Sequence, residues 1–145
     1  MFKTILVPTD GSELSDKPIK AAIEMAQLTD GRIVAMTVAE PYPFTPLYQS
    51  AAVADATIYE DRMRMVAQGH LQRIADAARE AGVPCETVIA QSFSPFEEII
   101  ATARQHGCDV IFMASHGRKG LNRLFIGSET QKVLAHTDIP VLVFR

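Results

Sequence analysis

Met113-Ala114-Ser115-His116-Gly117-Arg118-Lys119-Gly120-Leu121-Asn122-Arg123-Leu124-Phe125-Ile126-Gly127-Ser128 continues the apolar run that begins at Val110 and precedes an amphipathic segment. The stretch reads as the end of a strand, a long glycine-bearing loop and the start of a helix. That is anion-binding geometry: glycines let backbone N–H groups approach a phosphate, and the free N–H groups of a helix's first turn add partial positive charge. The remaining chain is read as the sheet that holds this loop.

The same strand-to-helix pattern recurs upstream. Lys3 to Thr9 is a nearly continuous apolar run opening into the turn Asp10-Gly11-Ser12, and Ile19, Ala22, Ile23 and Ala26 then recur at helical spacing up to Gly31. Ile33 to Val38 is a second strand, left through the proline-rich Glu40-Pro41-Tyr42-Pro43-Phe44-Thr45-Pro46. A longer helix begins at about Ala54, with Met63, Ala67, Leu71, Ile74, Ala78 and Ala81 on one face, and stops at Gly82. Val83 to Ala90 is a third strand, alternating and more polar, as an edge strand would be. Ser94-Pro95-Phe96-Glu97 is a helix start with Ser94 as N-cap and Glu97 closing a capping box. Phe96, Ile99, Ile100 and Ala103 form that helix's apolar face, and Gly107 ends it. Asp109 to Ser115 is the fourth strand, Ser128 to about His136 the last helix, and Pro140 to Phe144 the final strand. Gly31, Gly82 and Gly107 each stand where a left-handed residue would reverse the chain before a strand.

This β-α-β-α-β-α-β-α-β order predicts an α/β domain with a mostly parallel sheet covered on both faces. At 145 residues and 48% hydrophobic composition the chain is expected to form one domain with a substantial core. Lys and Arg number 14 against 17 Asp and Glu, and the basic residues are scattered apart from Arg118, Lys119 and Arg123. A general nucleic-acid surface is therefore not expected. No apolar run approaches the ~20 residues of a membrane span, and the short run at the N-terminus is not a secretory signal. Cys85 and Cys108 sit beside apolar runs without metal-ligand spacing, and both are expected to be reduced thiols of a cytoplasmic protein.

In an open parallel sheet a ligand sits beyond the carboxyl ends of the strands where strand order reverses. The two most continuously apolar strands, Ile5 to Val7 and Val110 to Met113, are the candidates for the sheet's centre. If they are neighbours, Asp10-Gly11-Ser12 and Ser115-His116-Gly117 face each other across one crevice, a carboxylate opposite backbone donors. A nucleotide suits that arrangement, with Asp10 near ribose hydroxyls or a metal.

Ile5-Leu6-Val7-Pro8-Thr9-Asp10-Gly11-Ser12, Met113-Ala114-Ser115-His116-Gly117-Arg118, Gly127-Ser128 and Pro140-Val141-Leu142-Val143 together resemble the universal stress protein family along nearly the whole chain. Its nucleotide-binding branch carries Gly-x-x-Gly, nine residues, then Gly-Ser or Gly-Thr. Gly117 matches the second glycine, Arg118 to Ile126 the nine residues and Gly127-Ser128 the close, with Ala114 in place of the first glycine. The resemblance implies a Rossmann-like five-stranded sheet in the order 3-2-1-4-5, ATP with Mg or Mn as ligand, and a homodimer. AMP or another adenine nucleotide is the alternative ligand. Carried over by position, Asp10 lies by the ribose or the nucleotide's metal and Val38 by adenine. Gly117, Gly127 and Ser128 lie at the phosphates, and Met113, Ala114 and Arg118 complete the lining.

Two departures bear on the crevice. The methyl group of Ala114 costs roughly 1 kcal/mol if the backbone there needs positive φ and little if it stays strand-like, which is the expectation at a strand end. Phe93 stands in a turn just before Ser94-Pro95 where the family it resembles often has glycine, which narrows the expected rim. Each site residue also has a purely structural reading: Asp10 closing an Asp-Gly turn, Ser128 and Gln131 forming a capping box, the glycines serving only the loop. His116 next to Ser115 does not by itself make an oriented nucleophile and base, so no catalytic residue is assigned. The final strand, Val141 to Phe144, has no later chain to cover its edge, and pairing with a second copy would remove that hazard. The long segment from Tyr42 to Ala54 is read as a cover over the base or a partner surface. Three functions follow: a cytoplasmic ATP-binding stress-response regulator, a dimeric interaction module of the same fold without nucleotide, or a slow ATPase or phosphotransfer enzyme.

Overall fold

Strand β1 (Thr4–Pro8) turns Ile5 and Val7 to one side and Leu6 to the other, and all three are fully buried. A strand with no wet face belongs inside a sheet covered on both sides. That is its place in the computed structural model, which describes residues 2–43, 52–117 and 126–145, the side chains of 52–54 excepted. β1 pairs in parallel with β2 (Arg32–Ala39) and with β4 (Val110–Ala114). β3 (Cys85–Gln91) and β5 (Val141–Phe144) complete a five-stranded sheet in the order β3-β2-β1-β4-β5, every pairing parallel. The expected alternation and strand order are both present.

Helices α1 (Asp16–Thr29) and α2 (Ala52–Glu80) cover the face that carries Ile5, Val7, Ile33, Val110 and Phe112. Helices α3 (Pro95–Gln105) and α4 (Ser128–His136) cover the other, against Leu6, Val34, Met36, Ile111 and Met113. β3 alternates between half-buried and exposed residues, as read for an edge. Among the described residues no helix is long and apolar enough to cross a membrane.

Three local expectations are corrected. Before β2 the left-handed residue is Asp30 (φ 50°), not Gly31. Gly31 is needed for a different reason, because a Cβ there would stand 2.5 Å from the Lys3 carbonyl oxygen, which also accepts from Arg32 N. Gly82 and Gly107 do adopt positive φ. At the start of α3, Ser94 is the N-cap residue but its side chain caps nothing; Phe96 N donates instead to Glu129 Oε2 at 3.0 Å. A carboxylate from the first turn of α4 thus meets the positive end of α3. At α4 the N-cap is Gly127, so Ser128 is the first helical residue and forms no capping box; Gln131 Nε2 donates to Ile126 O.

Gly31→Ala is expected to cost about 1–3 kcal/mol of unfolding free energy, the range for forcing atoms into a filled site. Urea denaturation monitored by circular dichroism checks it, and an unchanged midpoint would remove the close approach as the reason for glycine.

Both cysteines are free thiols and they pack on opposite sheet faces, Cys85 with α1 and α2, Cys108 with α3 and α4. Burial pushes the Cys108 thiol up from its ordinary 9.0 to about 11, partly opposed by Arg32. An unfolded chain gives up this proton near pH 9 and the folded chain holds it to about 11. The contribution is therefore intact below pH 9 and lost as pH rises toward 11. Stability measured by urea across that window should fall, and Cys108→Ala should flatten the fall; identical slopes would contradict the assignment.

Candidate functional site

The carboxyl end of β1 is tied to β2 before it turns: Thr9 N donates to Met36 O at 2.8 Å, and Thr37 Oγ1 donates to Thr9 O at 2.8 Å. Gly11, with φ 77°, then lets the chain fold back so that Ser12 N donates to Asp10 Oδ1 at 3.0 Å. Ser15 Oγ donates to the same oxygen at 3.2 Å. This is the turn that a short carboxylate side chain makes with its own backbone, and it fixes the direction of Asp10. The other carboxylate oxygen, Oδ2, lies against the second loop, since a Cβ built on Gly117 would be only 2.8 Å from it. The turn thus uses Oδ1, and Oδ2 is the oxygen that lies toward the second loop.

The second loop is closed at its neck. Ser115 N donates to Phe144 O, and Gly127 N donates to Ser115 O, each at 2.7 Å. Thr130 Oγ1 reaches back from α4 to Ala114 O at 3.0 Å. A Cβ on Gly127 would stand 3.1 Å from Ser115 O and 3.4 Å from His116 Cα, so glycine is what permits the neck to close. Ala114 ends β4 opposite Phe144 without positive φ, so its methyl group brings no backbone strain. Among the described residues no side chain caps α4, and its first-turn N–H groups have no intrahelical acceptors at the side of the notch. Gly127, at the head of that turn, sits against His116, whose neighbour Gly117 adjoins Asp10 Oδ2.

Val38 and Met113 belong to the same sheet face as α4, packed with the cluster that contains Met36 and Val133, on either side of β1. Asp10, Val38, Met113, Ala114, Gly117, Gly127 and Ser128 therefore converge on the carboxyl end of the sheet. Arg118 lies outside the described residues, as do Lys119, Arg123 and the part of the proposed cover from 44 to 51. Phe93 is 64% exposed. Ser115 Oγ and His116 Nδ1 are 2.8 Å apart, while His116 Nε2 is buried with no hydrogen-bond partner among the described residues. The histidine's partner is thus its own neighbour, and neither Asp10 nor Ser128 orients it there. Also among the described residues, no cluster of three or more His, Cys, Asp or Glu is arranged for a metal.

Ser15, Thr130 and Glu129 shape the site without having been read from sequence. A hydroxyl that bonds a carboxylate five residues away, or a carbonyl on another strand, carries no local signature. Glu129 had one: acid in a first turn is usual, but here it serves the neighbouring helix.

Against known proteins, residues 1–145 match the model of the universal stress protein family. Universal stress protein MJ0531 of Methanocaldococcus jannaschii is 30% identical over 145 residues, covering 100% of this chain and 83% of its own. The solved structure of the protein MJ0577, described as a structure-based assignment of biochemical function, superposes with a TM-score of 0.86 at 26% identity, covering 99% of this chain and 96% of that one. A universal stress protein solved in complex with cAMP superposes with a TM-score of 0.71 at 20% identity, covering 99% and 97%.

Proposed function

We propose that this chain, which belongs to the universal stress protein family, binds an adenine nucleotide in the notch between the Asp10 turn and the neck of the second loop, and acts through occupancy rather than turnover. The observation that carries this reading is the approach of Asp10 Oδ2 to Gly117 beside the uncapped start of α4. An acid suited to ribose hydroxyls and amides suited to phosphates then lie within one nucleotide's length. The complex of a same-fold protein with cAMP supports the ligand class.

In this reading Gly117 and Ser128 offer N–H groups to the phosphates beside Gly127, whose own N–H holds the neck, Asp10 takes the ribose, and Val38 and Met113 flank the base, with Ala114 behind it. Arg118 remains a phosphate partner expected from sequence. ATP is the preferred ligand, with AMP as the alternative. One carboxylate with phosphate oxygens suits Mg, which keeps several waters and seldom has an all-protein cage; Asp10 would hold Mg or Mn only through the nucleotide. The protein is a cytoplasmic regulator of the stress response, and its dimer forms along β5, where Leu142 is 37% exposed.

The replacement of the motif's first glycine by Ala114 favours a second reading, a dimeric interaction module without nucleotide. Two measurements separate them. Material released on denaturing the purified protein should contain an adenine nucleotide by chromatography and mass spectrometry. ATP at about a hundred times its dissociation constant should stabilise the fold by roughly 2.7 kcal/mol. No released nucleotide together with no ATP-dependent stabilisation would leave the interaction module.

A further inference from the structure

A cavity of about 400 Å³ opens between α1 and α2. That is the sheet face opposite α4, so the cavity lies apart from the notch. Its upper wall is Thr9, Gly11 and Ser12, the loop that aims Asp10. His70 of α2 closes over Gly11 so tightly that a Cβ there would run into the imidazole ring. Below this roof the cavity descends between the helices over an aliphatic floor of Ile19, Ile23 and Ile74.

The rim is charged and balanced. Asp16 and Glu24 stand with Lys20 and Arg73 around the opening, and Arg73 reaches Asp16 at 3.9 Å with both side chains largely exposed. The volume is within the range of small-molecule sites. A polyanion finds no surplus of cations here, and a plain hydrocarbon would use the floor and neglect the rim. A small zwitterion with an aliphatic body uses both, its ammonium toward Glu24 and Asp16, its carboxylate toward Lys20 and Arg73.

We propose that this cavity is a second ligand site, for a zwitterion of the leucine type, and that its occupant and the nucleotide alter each other's affinity through the Thr9–Ser12 loop. The coupling rests on the nucleotide reading above; the site itself does not. Ser12 supplies both a wall of the cavity and the N–H that holds Asp10 Oδ1. A molecule pressing on Ser12 and His70 therefore changes the aim of the acid, and linkage makes the effect reciprocal.

The test uses the full chain and L-leucine. Without nucleotide, saturation-transfer NMR should show saturable binding of L-leucine, with isocaproate and isoamylamine at least about tenfold weaker, a difference of ~1.4 kcal/mol. Ala77→Phe, which fills the cavity from α2, should abolish that binding with the melting curve preserved. Should that variant misfold, the exposed Glu24→Gln and Lys20→Ala should each weaken leucine while leaving isocaproate or isoamylamine, respectively, unchanged. With leucine saturating, the ATP dissociation constant should move by about fivefold or more. No saturable leucine binding, equal binding of all three probes, or binding retained in Ala77→Phe would overturn the site. Leucine binding without any ATP binding would sustain the site, overturn the coupling and reject the nucleotide reading.

Discussion

ATP affinity is expected to fall about a hundredfold, roughly 2.7 kcal/mol, when Gly127 is replaced by valine. Gly127 holds the neck of the second loop through its N–H to Ser115 O at 2.7 Å, and a Cβ would already sit 3.1 Å from that oxygen. The oxygen is backbone and is further held by Thr130, so it has little freedom to withdraw. A branched side chain must instead push Gly127 and the first turn of α4 away from the neck. Amide donors act only when aimed at the oxyanion within hydrogen-bond distance, so loss of aim removes several interactions together. Isothermal titration checks the affinity, and urea denaturation measures how much stability is lost alongside. Unchanged ATP affinity in a folded Gly127→Val protein would mean that phosphates do not meet this helix.

Phe112→Ala is expected to lower the unfolding free energy by about 3–5 kcal/mol, the cost of emptying a large core position. Phe112 is 1% exposed in β4, packs in the cluster covered by α1 and α2, and meets Phe144 with ring centroids 5.4 Å apart. Its removal leaves a cavity between β4 and the helices that cover this face, beside Phe144. Domains of this kind have only about 5–15 kcal/mol to lose, so the variant sits close to unfolding. Chemical denaturation reads the change, and a loss below 1 kcal/mol would show that the neighbouring helices collapse into the space.

The sheet was legible because its central strands are apolar at every position, which only a doubly covered strand tolerates. Ile5-Leu6-Val7 and Val110-Ile111-Phe112-Met113 say this without help from any partner. The polar alternation of β3 marked an edge by the same logic. Adjacency of the two loops hung on those strands being neighbours, which the β1–β4 pairing supplies, since parallel neighbours open on one side. What stayed hidden depended on contacts between distant elements. Ser94 looked like a capping residue, yet Glu129 from α4 reaches Phe96 N and takes that role. Ser128 looked like an N-cap, yet closure of the neck makes Gly127 the cap and moves Ser128 one position into the helix. Gly31 looked like a left-handed residue, whereas what excludes a side chain there is the Lys3 carbonyl just before β1. His70 has no ligand-like partner pattern in the chain, because its meaning lies in the Gly11 loop it covers.

The most direct measurement is a titration of ATP into the isotopically labelled protein, following backbone amide resonances. The nucleotide reading predicts that the largest shifts saturate together at Gly117, Gly127 and Ser128, with smaller ones at Val38. No saturable shift, or shifts concentrated on another surface while these amides stay still, would contradict it.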